Sequence, residues 1–173
     1  MVFMNGVRPP LASGNFFSIG TAVVSPTSRG WLRLNSTNPF DPPLINPAFL
    51  ETEFDVFAMR SVVKLAKRIL ASPAWAGWII EPAGALANAN TDEELDEYAR
   101  NNTGTTCHAV GTAAMSAVDA PFGVVNPDLR VKGVQGLRVV DASIFPFVPG
   151  AHTQAPTYII AERAADMIKA FWA

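Results

Sequence analysis

Two short stretches constrain this chain more than any others, because they hold its only two histidines. The first is Thr106-Cys107-His108-Ala109-Val110-Gly111-Thr112-Ala113-Ala114-Met115; the second is Gly150-Ala151-His152-Thr153-Gln154-Ala155-Pro156. In both, the histidine is fenced by glycine, alanine and threonine, small enough to let a backbone come close to something flat or bulky. Histidine is also the residue type that ordinarily titrates nearest neutral pH, so it is suited to passing protons. Taken singly, each reads as a histidine satisfied by local hydrogen bonds. Taken together, in matched settings with a strand-and-turn run between them, they read as a pair. The fold then has to bring His108 and His152 together across 44 positions.

Composition removes several function classes. At 173 residues the chain is long enough to bury a sizeable core, and 49% apolar with 16% charged residues is a globular composition. Thirteen basic against fifteen acidic residues, net −2, argue against nucleic acid as a partner, which requires clustered Lys and Arg. The single cysteine, Cys107, excludes an intrachain disulfide and a cysteine-built zinc site, and no metal site is expected. No uncharged apolar run reaches the ~18 residues of a membrane span, and Met1–Gly6 lacks the basic and apolar regions of a signal peptide.

Along the chain, residues 1–14 hold Gly6, Pro9, Pro10 and Gly14 and read as irregular. Phe16–Val24 is β-rich, Ser25–Gly30 is turn chemistry and Trp31–Leu34 partly alternates, so the three predict an antiparallel hairpin. Asn35–Pro47, with four prolines and three asparagines, predicts an ordered loop or linker that Phe40, Leu44 and Ile45 would anchor. Glu53–Ala71 predicts an amphipathic helix with Phe54, Phe57, Ala58, Val62, Leu65, Ala66 and Ile69 on its core face, ended by Ser72-Pro73. Trp75, Trp78, Ile79 and Ile80 predict an aromatic cluster, as core packing or as the border of a cavity. Thr91-Asp92-Glu93-Glu94 is a capping box opening a short acidic helix to about Asn101. Leu137–Val140 reads as a strand ending at Asp141. A last helix runs from Ala155 or Pro156 to Phe171, with Tyr158, Ala161, Ala164, Ala165 and Ile168 as its apolar stripe. Asn35-Ser36-Thr37 and Asn101-Asn102-Thr103 fit the glycosylation sequon, which matters only in a secreted protein.

Several of these stretches, in this order, carry a resemblance. His-x-x-Gly-Thr-x-x-Met at 108–115 is followed by Val-x-Asn-Pro-x-Leu-x-Val-x-Gly-Val-x-Gly-Leu-Arg-Val-Val-Asp-Ala-Ser, up to Ser143. Next comes His-Thr-Gln-x-Pro-Thr at 152–157, before a helix; upstream lie Val24–Gly30 and Asn38–Pro47. From about Asn15 onward the pattern resembles the C-terminal part of the glucose–methanol–choline (GMC) oxidoreductases, most of all the aryl-alcohol oxidase branch. The resemblance implies an α+β fold: a partial GMC fold with an antiparallel sheet piece and helices. Residues 1–105 would be part of a substrate-binding domain, and 106–173 a segment returning to a flavin domain. The Gly-x-Gly-x-x-Gly turn that seats FAD phosphates in that family does not occur here. The expectation is therefore a C-terminal part whose partner is a missing N-terminal FAD-binding half, with some apolar surface facing it. Secretion would follow only if that half carried a signal peptide.

The resemblance also assigns roles. The position of His108 takes the hydroxyl proton of a small alcohol substrate while hydride passes to FAD, and the position of His152 hydrogen-bonds the substrate oxygen. Backbone amides around Thr153 and Gln154 would border the flavin, with Pro156 a further cofactor-binding position beside them, and Asp141 and Ala142 would contact the phosphate region of FAD through backbone N–H groups. The aryl-alcohol oxidase branch tends to place an aromatic residue before the first histidine; here Cys107 stands there as the substrate-pocket residue, read as a small buried apolar side chain rather than a reactive thiol. Two other readings stay open: an FAD-containing hydroxynitrile lyase of the same fold, and a non-catalytic interaction module.

Overall fold

The computed structural model describes residues 3–5 and 14–173. In chain order the elements are β1 (Phe3–Asn5), β2 (Thr21–Val23), β3 (Trp31–Arg33), β4 (Leu44–Asn46), α1 (Glu53–Leu70), α2 (Asp92–Asn102), β5 (Thr103–Thr105) and α3 (Gln154–Trp172). Short 3-10 turns fall at Pro73–Trp75, Gly84–Asn88 and Ala142–Ile144. This is the α+β class expected, and no described helix is long and apolar enough to cross a membrane. Two compact units divide the chain: one joins Val2–Gly30 to Pro47–Thr106, the other joins Trp31–Asn46 to Cys107–Ala173.

In the first unit an antiparallel sheet has the order β2-β1-β5, with Phe3 opposite both Val23 and Thr105. The central strand thus lies in the stretch read as irregular; the rest of that stretch up to Ser13 falls outside the described residues. Thr52 caps α1 by accepting from the Asp55 amide, Lys67 and Arg68 occupy its last turn, and Ser72-Pro73 follows its end. Its buried face is Asp55, Val56, Met59, Val63 and Ala66. Of the expected stripe Ala66 is buried, but the face is rotated: Phe54, Phe57, Leu65 and Ile69 are exposed. Asp55 is the cause. Its carboxylate is fully buried and accepts from the Thr27 amide at 2.8 Å, the Thr27 hydroxyl at 3.1 Å and the Ser28 amide at 2.9 Å. A helix with apolar residues on two sides turns inward the side that satisfies its charge.

The same cluster overturns the predicted hairpin. Within Ser25–Gly30 the amides of Thr27 and Ser28 are spent on Asp55 rather than on a tight turn, and β2 pairs with β1 while β3 pairs with β4. α2 opens on the capping box, with Thr91 and Glu94 reciprocally bonded, and buries Leu95 and Ala99. Arg60 reaches Asp96 at 2.5 Å and Lys64 pairs with Asp92, tying α1 to α2. The aromatic cluster does not form. Trp78 and Ile79 both bond back to the Trp75 carbonyl, which coils the segment; Trp75 meets Phe17 instead, and Trp78 and Ile80 are exposed.

In the second unit β3 and β4 form an antiparallel hairpin, with Trp31 opposite Asn46. β4 lies inside the proline-rich stretch; the loop before it is ordered by Asp41, which accepts from Ser36 at 2.5 Å and from the Asn38 side-chain amide at 2.9 Å. Phe40, Leu44 and Ile45, expected as anchors, are exposed. The core is Val125, Leu129, Ile144 and Ala164, with Met115, Val131, Val139, Val140, Ile160 and Met167 against it. On α3 Ala164 of the expected stripe is buried, with Ile160 and Met167 partly buried against the same core, and Tyr158 and Ile168 are exposed. Leu137–Val140 is not a strand. Val131 N donates to Leu137 O and Val139 N to Leu129 O, closing the chain so tightly that one bridge, Arg130 to Arg138, remains.

Candidate active site

Both histidine segments depend on one brace. Asp141 accepts from the Ser143 amide at 2.7 Å and so opens the Ala142–Ile144 turn, whose Ile144 is 1% exposed in the core. The segment after His108 lies along this turn: the Ala113 amide donates to Ser143 O at 3.0 Å and the Met115 amide to Ile144 O at 2.8 Å. The segment leading to His152 leaves from the same turn through Phe145 and Pro146. The 44 positions between the histidines are therefore closed by a short stretch of backbone pairing.

The imidazoles meet. His108 Nε2 lies 2.7 Å from His152 Nδ1, the ring centroids are 4.9 Å apart and the planes stand at 64°. His108 is half-buried and His152 exposed. A bond between two imidazole nitrogens needs one proton and one lone pair, so one ring donates and the other accepts.

α3 starts immediately beyond His152. Its cap residue, Thr153, has no side-chain capping bond, and its first turn holds no acidic residue. Pro156 in that turn has no amide, so the available donors are few and belong to residues such as Gln154. The partial positive charge of a helix N-terminus is left for something else to use.

Of the residues singled out from sequence, His108, His152, Thr153, Gln154 and Pro156 come together around the start of α3. Asp141 and Ala142 sit in the brace, where the Asp141 carboxylate orders the turn. Cys107 is exposed, against the buried reading; it holds a left-handed backbone, φ 60°, directly before His108. Two residues escaped the sequence reading. Gly111, inside the His-x-x-Gly-Thr pattern, has φ 89°, and a Cβ added there would stand 3.3 Å from the Phe145 carbonyl oxygen. Lys132 donates to Ser116 Oγ and the carbonyls of Ala117, Ala120 and Phe122 at 2.7–3.1 Å, closing the loop after Met115; the only sequence signal was a lysine set in an apolar run. Among the described residues no group of three or more His, Cys, Asp or Glu gathers as metal ligands would.

Comparison with known proteins bears on this arrangement. Residues 26–161 match the family model of the GMC oxidoreductases. Dehydrogenase eriK of Hericium erinaceus is 46% identical over 170 residues, covering 94% of this chain and 28% of that protein. A fungal aryl-alcohol oxidase superposes with TM-score 0.77 at 36% identity, covering 90% of this chain and 25% of that one. The formate oxidase of Aspergillus oryzae, studied for modification of its FAD, superposes with TM-score 0.81 at 30% identity, covering 94% and 28%. The chain thus spans about a quarter of the length of the relatives it matches. Sequence pattern, fold and family model agree, and the chain belongs to the GMC oxidoreductase family.

Proposed function

We propose that this chain is the catalytic C-terminal part of a flavin-dependent oxidoreductase acting on an alcohol, with His108 as general base and His152 as the donor that holds the substrate oxygen. The observation that carries the proposal is the 2.7 Å contact between His108 Nε2 and His152 Nδ1, set beside an uncapped helix N-terminus. Residues 106–173 would face the flavin, and residues 1–105 would contribute to a substrate-binding domain. The proposed partner is an FAD-binding remainder, for which the greater length of the relatives leaves room.

The residues present fit such a cofactor. The uncapped start of α3 offers backbone N–H groups at Thr153 and Gln154 to an electron-rich ring edge, and no acidic side chain in its first turn opposes one. Asp141 already spends its carboxylate on Ser143, leaving the backbone at Asp141 and Ala142 as the contact for the more distant part of the molecule. Bound FAD supplies what no side chain can, an acceptor for the hydride leaving the alcohol carbon.

The protein's share is the proton. For His108 to act as base, its Nε2 must carry a lone pair, so His152 Nδ1–H is the donor in the direct contact. An alcohol entering between the rings replaces that bond in kind. Its oxygen accepts from His152 Nδ1, and its hydroxyl hydrogen points at His108 Nε2. As the C–H bond weakens, the hydroxyl proton moves to His108 and the carbonyl oxygen that forms stays bonded to His152. Cys107, exposed at the adjoining position, lines the entrance for the substrate.

The test is His108→Ala in a full-length enzyme carrying this segment. Alcohol-dependent bleaching of the flavin should slow by about 10²–10⁴ while flavin remains bound. A normal bleaching rate across neutral pH would remove His108 from the role of base.

A further inference from the structure

We infer that Gly111 is a positioning residue for the histidine pair: its backbone sets how closely the segment carrying His108 lies against the segment carrying His152. Two observations support this. Gly111 has φ 89°, a conformation that residues with a Cβ rarely adopt. A Cβ built there would stand 3.3 Å from the carbonyl oxygen of Phe145, so one of the two would have to give by a few tenths of an ångström.

The Phe145 carbonyl is poorly placed to yield. The Phe145 amide is tied to Ala142 O, the turn before it is capped by Asp141, and Ile144 is held in the core. The Ala113 and Met115 amides pin the same turn from the other side. Displacement would therefore appear in the free ends, His108 three residues before Gly111 and His152 seven after Phe145. The imidazole contact has little margin: it stands at 2.7 Å, and hydrogen bonds weaken beyond ~3.2 Å. Cys107, also left-handed at φ 60°, completes the bend on the other side of His108. The catalytic meaning of this spacing rests on the function proposed above; the spacing itself does not.

The chain is suited to a direct test, because its two histidines are the only imidazoles in it. With ¹⁵N-histidine labelling, the scalar coupling between the two rings' nitrogens across the hydrogen bond reports the pairing alone. The coupling should be present in the unaltered chain. It should fall below detection in Gly111→Asn, since asparagine tolerates the left-handed backbone and chiefly adds the Cβ. It should persist in Gly133→Asn, where φ is 73° and nothing lies within 4 Å of an added Cβ. Should Gly111→Asn not fold, Asp141→Ala adds no atom but frees the turn under Phe145, and it should weaken the coupling in a folded chain. Retained coupling in a folded Gly111→Asn, equal loss in Gly133→Asn, or no coupling in the unaltered chain would each overturn the inference. If Gly111→Asn abolishes the coupling yet a full-length enzyme bearing it reduces flavin at the normal rate, the positioning role stands and the proposed chemistry of the pair falls.

Discussion

In each unit a polar cluster joins distant parts of the chain, and the two clusters, at Asp55 and at the histidine pair, are opposites. Around Asp55, three donors from Thr27 and Ser28 converge on a fully buried carboxylate. Around His108 and His152 a single hydrogen bond joins two rings, one half-buried and one exposed, and among the described residues no other hydrogen bond to either ring occurs. The first cluster has its acceptor capacity committed, and in a buried place commitment is what makes charge tolerable. In the second, the other nitrogen of each ring, His108 Nδ1 and His152 Nε2, has no hydrogen bond among the described residues. A saturated polar cluster builds architecture, whereas an unsaturated one at a surface is available for chemistry.

The comparison breaks most visibly at the histidines. In a full-length enzyme the His108→Ala, His152→Ala double variant should lose about 10²–10⁴ in flavin reduction, scarcely more than His108→Ala alone, because the rings act as one unit. Effects that multiply in stopped-flow measurements would mean two independent contributions and no shared site. His152→Ala, at an exposed position, should not move stability by more than about 0.5 kcal/mol.

Asp55→Ala should do the reverse. It leaves the amide of buried Ser28, and that of Thr27 beside it, without their acceptor, and its expected cost is about 3 kcal/mol. Urea unfolding of the 173-residue chain checks this, and a midpoint unchanged from the parent would show the cluster to be dispensable.

The smallest effect is in pH. Burial alone would raise the Asp55 carboxyl, but hydrogen bonds from Ser28 and Thr27 outweigh it and hold the group below its ordinary 3.8. A carboxylate depressed in the folded state contributes stability that is fully present above the unfolded value and is lost as pH falls through the folded one. Stability should therefore decline on acidification below about pH 4, and less steeply in Asp55→Asn, which has no proton to take up. Asp92, held down chiefly by its hydrogen bond to Lys64, adds a slope of the same sign on the surface. Equal acid slopes for parent and Asp55→Asn, compared by urea midpoints at pH 5 and pH 3, would detach Asp55 from the effect.

These contrasts also explain what could be read in advance. Helix ends were legible because caps are local: Thr52, Thr91 and Ser72-Pro73 act on amides a few residues away. The meeting of the histidines was legible because two matched settings were the only places a pair could come from. The buried face of α1 was not, because apolar residues lie on two of its sides and the choice between them belongs to Thr27 and Ser28, more than twenty positions away. Strand partners were not, because three-residue strands carry too little pattern to name a neighbour. Gly111 was visible as a glycine but not as a contact, since its meaning depends on the Phe145 carbonyl.

The Asp55 cluster has a consequence for chain topology. Ser28 Oγ also accepts from the amides of Glu51 and Thr52, and the Thr27 and Thr52 hydroxyls are 2.7 Å apart. The point where the chain leaves the first unit is thus clasped to the point where it comes back. Everything from Trp31 to Asn46 is an excursion whose two ends are fastened independently of what lies between. Two strands of three residues are too short to hold themselves together in water. Fastening their ends removes much of the loop-closure entropy that their pairing would otherwise have to overcome. The excursion is thereby free to vary in its outward residues, since its closure does not depend on them.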